Sequence, residues 1–361
     1  MVSPVRKYPT ATPASRLGLG VIALIFAIAG VGCPCARGPV NASPGLRWWL
    51  FSNFGASKIC PEMVKRGVGL KLQDRGATVG RFFPNGCNVD VDNQNQLVTV
   101  HFTGTGYAYT PLSRRIGFRC SAAVQYRADF YLGDDDIYVW GKVNRIVSGP
   151  NFELGYVENK VADVATSLTP LGGLATSFGN QIVAGELTRG FTVLQNWDTG
   201  SNSFALGILM PPQKPTSPFD VSQDARYTFA NEATEVQANQ RDFLGPFDVV
   251  EGTQQLILKL QLQGPAVDVM VVPKTVGDAW REGYQLGAPL GPPPGPVLAG
   301  APLHPGLAVQ TAYQLPPGAY YVVIDNTAYA GSVAPPAPSL LDPLGIASVA
   351  RVSYTAQLAD R

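Results

Sequence analysis

The chain has 361 residues and a formal net charge of +1, a length that suits two domains of about 150 residues each. Charged residues make up 15% of the sequence, hydrophobic residues make up 45%, and there are 39 glycines and 31 prolines. The hydrophobic content argues against a disordered chain, and the absence of a basic stripe with interleaved aromatic residues argues against a nucleic-acid partner. Low charge, many turn residues and short apolar runs predict a β-rich exported protein.

The N-terminus has the pattern of an export signal. Arg6, Lys7 and Arg16 precede the apolar run Leu17–Val31, and no acidic residue comes before it. The run is shorter than the roughly 20 apolar residues that a membrane-spanning helix needs. We therefore predict a signal peptide over residues 1–32.

Small residues connect this run to a cysteine, in the order Val31, Gly32, Cys33. This segment resembles the lipobox of bacterial lipoproteins, although Gly30 stands where leucine is usual. The resemblance implies that Cys33 receives a diacylglyceryl group and becomes the mature N-terminus. The protein would then be held at a cell-envelope membrane, facing the periplasm or the surface. An ordinary secretory signal and an uncleaved anchor are the alternatives. Removal of residues 1–32 would change the net charge from +1 to −2.

The other cysteines suit an exported protein. Four remain when Cys33 is lipidated, namely Cys35, Cys60, Cys87 and Cys120. An oxidising compartment permits disulfides, and the sequence leaves all three complete pairings open. Cys60, Cys87 and Cys120 are the candidates for a disulfide. The spacing of a metal site is absent, so no metal or other cofactor is predicted.

Residues 33–57 are predicted to be a lipid-anchored tether, and residues 58–212 a first domain. In the tether, Trp48 and Trp49 either lie at the membrane interface or pack on the first domain. A short helix is expected from Ser57 to Lys65, with Ser57 as its cap.

Alternating apolar and polar residues predict strands after this helix. Cys87 lies on the apolar face of the first, and Asp92–Asn95 forms a turn. In the next strand His101 lies opposite the apolar face. The strand Ile116–Phe130 has its even-numbered residues towards the core, and Ile137–Val147 is a further strand.

A change of period then predicts a helix over Leu171–Val193, with apolar residues three and four positions apart. Its apolar face comprises Leu174, Phe178, Ile182, Val183, Leu187 and Phe191. The layout of a sheet and one apolar helix resembles envelope lipoproteins of the tubular lipid-binding kind. The resemblance implies an acyl-chain ligand lined by these side chains, whereas an ordinary closed core is the alternative.

Residues 213–224 are predicted to be a linker, and residues 225–361 an all-β domain. Leucines alternate with polar residues from Leu256 to Leu262, and Val267–Val272 reads as a buried strand. A tight turn with positive φ at Gly318 is expected before the next strand. The segment QLPPGAYYVVIDN resembles a strand of bacterial pre-peptidase C-terminal-like jelly-roll modules, which implies an accessory role in binding or stability.

Catalytic motifs are weak. The tetrapeptide DTGS at Asp198 matches aspartic proteases, but that chemistry needs two aspartates and a second such motif is missing. A hairpin turn between Phe191–Leu194 and Phe204–Leu209 is the favoured interpretation of Asp198. Cys–His catalysis with His101 is less favoured than disulfides or buried thiols.

The sequence thus predicts an α+β fold, an antiparallel sheet with one long apolar helix, followed by an all-β sandwich or jelly roll. The expected function is that of a non-catalytic envelope lipoprotein acting as a binding or structural module. Its expected partners are the membrane, through the lipid anchor, and a lipid or envelope protein. A surface adhesin that binds carbohydrate or protein through the sandwich, and a hydrolase based on Asp198, are the alternatives.

Overall fold

The computed structural model describes residues 34–71, 76–110, 114–159, 185, 188–196, 202–211, 213, 218–221, 226–337 and 348–361. Among the described residues, strands account for 56% and helices for 16%. The longest helix among the described residues has 12 residues. The prediction of an α+β fold with one long apolar helix is therefore wrong, and the protein is mostly β.

The N-terminal part is a series of short helices that pack on the first strands. They are α1 (Pro34–Ala42), α2 (Pro44–Leu50), a π-helical turn (Phe51–Gly55), a 3₁₀ turn (Ala56–Lys58) and α3 (Ile59–Met63). Trp48 is buried and its indole donates to Asn93 Oδ1, whereas Trp49 is half exposed. Ser57 lies in the 3₁₀ turn and caps no helix, so that part of the prediction is wrong.

Helices α1 and α2 are fixed to the sheet by polar contacts. The Arg47 guanidinium donates to both carboxylate oxygens of Asp129, at 2.6 and 3.2 Å. The Asn41 side chain donates to the Leu132 carbonyl and accepts from the Leu132 amide, both at 2.9 Å. The described part of the predicted tether is thus helical and packed against the sheet.

Long antiparallel strands follow. They are β1 (Val68–Lys71), β2 (Thr78–Asp92), β3 (Leu97–Thr110), β4 (Arg114–Leu132), β5 (Asp136–Val157), β6 (Phe191–Asn196) and β7 (Asn202–Leu206). The even-numbered side chains of β4 from Ile116 to Tyr126 are buried, as are Val98, Val100 and Phe102 of β3. These faces were predicted correctly, because alternation along a strand is a local property. Residues Asn93–Gln96 form the turn between β2 and β3.

The predicted helix over Leu171–Val193 lies mainly outside the described residues. Its last three residues belong to β6, whose Phe191 pairs with Gly141 of β5 and with Leu206 of β7. The helix prediction is wrong at this end. The hairpin between Phe191–Leu194 and the strand after it is confirmed.

The C-terminal part is a sandwich with one additional helix. Its elements are β8 (Tyr227–Val236), β9 (Gln240–Val249), β10 (Gln254–Gln263), β11 (Val267–Pro273), α4 (Lys274–Gln285), β12 (Ala299–Leu303), β13 (Val309–Tyr313), β14 (Gly318–Asn326) and β15 (Ala350–Asp360). The alternating leucines of β10 and the valines of β11 are buried as predicted. Gly318 begins β14 and is not among the glycines with positive φ, so that detail was wrong.

The strands of the described chain form two sheets. One has 11 strands in the order β13–β10–β15–β8–β2–β3–β4–β5–β6–β7, with β1 beside β2. The other has the order β12–β11–β14–β9. One core lies between the sheets of the sandwich, and another lies under the even-numbered face of β3 and β4.

Helix α4 covers the outer face of the four-stranded sheet. Trp280 and Tyr284 of α4 pack with Phe243 of β9 and Tyr321 of β14, and Tyr107 of β3 joins this cluster. The odd-numbered face of β2 and β3 therefore packs on the helix and the smaller sheet. None of the helices in the described ranges is long and apolar enough to cross a membrane.

Candidate functional site

The sheet face that carries the odd-numbered side chains of β3 and β4 is covered at one end and open at the other. Tyr107 is buried under α4, whereas Arg119 and Arg127, farther along β4, are exposed. Where the cover ends, α4 and the sheet border a cavity of about 580 Å³, which we name the helix–sheet cleft. Its polar lining comprises Lys65, Arg66, Asn85, Thr105, Arg119, Lys274, Asp278, Arg281, Glu282 and Gln285.

Helix α4 supplies one wall of the helix–sheet cleft. Lys274, Asp278, Arg281 and Gln285 follow one another at spacings of four, three and four residues, which places them on one side of a helix. Asp278 accepts from the Lys274 ammonium group and, at 2.8 Å, from the Tyr321 hydroxyl. Burial raises the pKa of Asp278, but these hydrogen bonds and the nearby cations outweigh it, so the net shift is downward. The carboxylate therefore stays ionised at neutral pH.

Arg281 is the most enclosed cation of this wall, with 8% of its side chain exposed. Its guanidinium lies over the Phe83 ring, 4.3 Å from the ring centroid. It donates to Gln285 Oε1 at 3.1 Å and pairs with Asp278 and Glu282 at 3.4 Å. These contacts hold the Arg281 side chain in one position beside the cavity.

The sheet supplies the opposite wall. The Thr105 hydroxyl donates to Gln285 Oε1 at 3.1 Å, which connects β3 to α4 across the floor of the cleft. Arg119 is exposed on β4, and no ion pair or hydrogen bond of its side chain occurs in the described ranges. Gly117 of β4 lies so close to the Gln285 carbonyl that a Cβ at this position would lie 1.8 Å from its oxygen.

The loop after α3 completes the lining. Lys65 pairs with Glu62 at 2.6 Å. The Arg66 guanidinium donates to the Phe229 carbonyl at 3.3 Å and to the Tyr227 hydroxyl at 3.0 Å, which are both neutral groups. The cleft thus has five cationic and two anionic side chains in its lining, and its electrostatic character is positive.

A buried ion pair behind the cleft joins the N-terminal strands to the sandwich. Arg81 of β2 donates to the two carboxylate oxygens of Asp242 on β9, at 2.9 and 2.8 Å. The Tyr107 hydroxyl donates to the same carboxylate at 2.6 Å, and the Thr234 hydroxyl at 2.8 Å. Burial raises the pKa of Asp242, but the charge of Arg81 and these four hydrogen bonds together lower it more, so the net shift is downward.

The structure pairs two of the three candidate disulfide cysteines. Cys60 of α3 and Cys87 of β2 form a disulfide with a Cα–Cα distance of 5.3 Å. Cys120 is a free thiol in the core, and burial raises its pKa to about 11. Cys120 and His101 lie on opposite faces of the sheet, so the arrangement brings no thiol of these three cysteines to His101. His101 instead pairs with Asp90 at 2.9 Å on the open face.

Most of the other predicted site residues lie outside the described residues. These are Cys33, Leu174, Phe178, Ile182, Val183, Leu187 and Asp198. Phe191 lies in β6, where its ring contacts Tyr126 edge-to-face at 5.7 Å. No group of three or more potential metal ligands occurs in the described part of the chain.

The residues of the helix–sheet cleft were not predicted as a site. Arg119 was placed correctly on the face away from the core, but α4 was not predicted. A helical signal exists there, because Val276, Trp280 and Tyr284 are spaced by four residues. Gly277 and Gly283 weaken that signal, since glycine costs about 1 kcal/mol relative to alanine inside a helix.

Comparisons with known proteins identify no family. No family model matches the chain, and no curated protein matches it. Among solved structures, the chain is similar to a glycoside hydrolase family 43 arabinoxylan arabinofuranohydrolase from Bacillus subtilis, in complex with cellotetraose. The identity is 12%, the TM-score is 0.23, and the match covers 77% of this chain and 67% of that one. A likeness at this TM-score carries no argument about fold or function.

Proposed function

We propose that this chain is an exported binding protein of the bacterial cell envelope, held at a membrane by a lipid on Cys33. The ligand site in this proposal is the helix–sheet cleft. The observation that carries it is the cavity of about 580 Å³, whose lining combines polar side chains from the α4 helix, the sheet and the loop after α3 with apolar ones such as Phe83, Pro246 and Leu286. Ligand sites in proteins are commonly concave and occur where structural units meet.

The proposal is for binding without catalysis. Glycoside hydrolysis uses two carboxyl groups, one of which must hold a proton at the start of the reaction. In the cleft, Asp278 has a lowered pKa and is neutralised by Lys274 and Arg281. That environment supports a positioning role for Asp278 and disfavours it as a general acid.

Two features support export. The Cys60–Cys87 disulfide fits an oxidising compartment, where disulfides form and persist. The basic and apolar N-terminal segment ending at Cys33 has the order of a lipoprotein signal.

The ligand site can be tested by filling the cleft at a glycine. A Cβ on Gly155, which lines the cleft, would lie 3.7 Å from the Gly117 oxygen, an ordinary contact. The ligand in this proposal is a saccharide. On a glycan array we expect full-chain wild type to bind a saccharide, and we expect Gly155→Leu to fold normally and to lose that binding. Gly252→Leu is the matched control, since a Cβ there meets nothing within 4 Å. Equal binding by the two variants, or no binding by wild type, would contradict the proposal.

The anchor can be tested by intact mass. Membrane-extracted wild-type protein is expected to begin at Cys33 and to carry the mass of a diacylglyceryl group. The Cys33→Ala variant is expected to lack that mass and to leave the membrane fraction. Unlipidated wild type would remove the anchor from the proposal and leave export to be explained by an ordinary signal.

A further inference from the structure

The unpartnered polar groups of the helix–sheet cleft are all hydrogen-bond donors. Arg66 Nε, Arg281 Nε and Gln285 Nε2 are buried and have no acceptor among the described residues. Gln285 is 5% exposed, and its Oε1 atom already accepts from Thr105 and Arg281. A buried N–H group without an acceptor is unfavourable. Each of these atoms is enclosed by protein, so the cleft offers a ligand the exposed guanidinium of Arg119 and not these buried N–H groups.

The charges of the lining favour a negatively charged ligand. Asp278 and Glu282 already pair with cations of α4, and Lys65 pairs with Glu62. Arg119 and Arg66 have no carboxylate partner in the described part of the chain. Two cations thus remain to attract a negatively charged group.

We propose that the ligand of the helix–sheet cleft carries an oxyanion, which Arg119 binds and the neighbouring cations Arg66 and Arg281 attract. This inference rests on the proposed function, because it names the chemistry of the same site. A carboxylate, sulfate or phosphate group supplies several acceptor oxygens, and arginine donates to such groups with strong charge-assisted hydrogen bonds. Such a group pairs with the cations that the lining leaves without a carboxylate partner.

The size of the cleft indicates what carries the oxyanion. A cavity of about 580 Å³ lies within the range of about 300–1,000 Å³ that is usual for small-molecule sites. An inorganic anion would fill a small part of it, and the remaining lining offers amide and hydroxyl groups at Asn85 and Thr105. An acidic oligosaccharide matches both the charge and the polar surroundings, and a free anion is the other source of the same chemistry.

Calorimetry with the full-chain protein and three probes tests this inference. The probes are trigalacturonate, its uncharged methyl ester and inorganic phosphate. We expect trigalacturonate to bind at least tenfold more tightly than the ester, and more weakly as salt is added. Arg119→Gln should weaken trigalacturonate binding about tenfold. Arg127→Gln is the matched control, because Arg127 is exposed on the same face of β4 outside the cleft lining, and it should bind as wild type does.

Each outcome has a distinct meaning. Binding of phosphate that displaces trigalacturonate, or binding of phosphate alone, supports the oxyanion inference with a free anion as its source. Equal affinities for the acid and the ester, equal affinities of the two arginine variants, or no binding of either anion would overturn it. If Gly155→Leu then still abolishes binding of an uncharged saccharide, the proposed function survives and the oxyanion inference alone fails. If Gly155→Leu binds every probe as wild type does, both fail.

Discussion

Replacement of Asp242 by alanine is expected to destabilise the fold strongly. The carboxylate is 4% exposed, and it accepts two hydrogen bonds from Arg81, one from Tyr107 and one from Thr234. Asp242→Ala would leave the guanidinium of Arg81, itself 2% exposed, with the Tyr354 hydroxyl at 3.3 Å and the Glu232 carboxylate at 3.8 Å. Removal of one partner from a buried ion pair costs about 3–5 kcal/mol. That is a large part of the free energy of unfolding of an ordinary domain, which is about 5–15 kcal/mol.

Urea denaturation followed by circular dichroism measures this loss. The control is Asp134→Ala, since the Asp134 side chain is fully exposed in its pair with Arg37 and its removal should leave the midpoint unchanged. The double variant Arg81→Leu/Asp242→Leu should be less destabilised than Asp242→Leu alone, because no buried charge is then left without its partner. A loss for Asp242→Ala no larger than that for Asp134→Ala would refute the reasoning.

The same pair predicts a dependence on pH. Burial raises the pKa of Asp242, but the charge of Arg81 and the hydrogen bonds from Arg81, Tyr107 and Thr234 together lower it more, so the folded-state pKa lies below the ordinary value of about 3.9. A lowered folded-state pKa contributes stability above the unfolded-state pKa, and this contribution is lost as the pH falls through the folded-state value. The stability gap between wild type and Asp242→Ala should therefore be constant near neutral pH and narrow below about pH 4. A gap that widens in acid would contradict the assigned direction.

Three further predictions concern the cysteines and the cleft floor. Replacing Cys60 and Cys87 by serine opens a loop whose ends are 27 residues apart in the sequence. From the chain entropy of such a loop, the free energy of unfolding in urea should fall by about 3–4 kcal/mol. Reductant should lower the stability of wild type and leave the variant unchanged, and an equal effect on both would count against the disulfide. Cys120 should resist a thiol reagent at pH 8 in the native state, because its pKa is raised to about 11. Cys120→Ala should therefore lower the number of labelled thiols only in denaturant. A lower number in the native state would show that the thiol is accessible. Gly117→Ala should destabilise the protein by about 1–3 kcal/mol because its Cβ would overlap the Gln285 oxygen, whereas Gly155→Ala should melt as wild type does.

Local patterns predicted the strands and their faces well. Val98, Val100 and Phe102 alternate with polar residues, and all three are buried on one face of β3. The leucines of β10 follow the same rule. Alternation succeeds because successive side chains of a strand point to opposite faces whatever lies beside the strand.

Helices were predicted less well. The apolar spacing around Phe191 is compatible with a helix, yet this residue pairs in β6 between β5 and β7. In α4, Gly277 has low intrinsic helix propensity, but a Cβ there would overlap the Tyr321 ring, so the close packing of the helix on β14 requires a glycine. In both places tertiary contacts outweigh the local preference of the chain.

The sequence by itself determined the strand faces, the turn after Asp92 and the export-like pattern that ends at Cys33, because each depends on residues that are close along the chain. Only the tertiary structure decided the pairing of Cys60 with Cys87, the ion pair between Arg81 and Asp242, and the cleft between Arg119 and Arg281. These last two residues are far apart in the sequence, on a strand and on a helix. They come to line one cavity because α4 covers one end of a sheet face and leaves the other end exposed to solvent, an arrangement set by long-range packing.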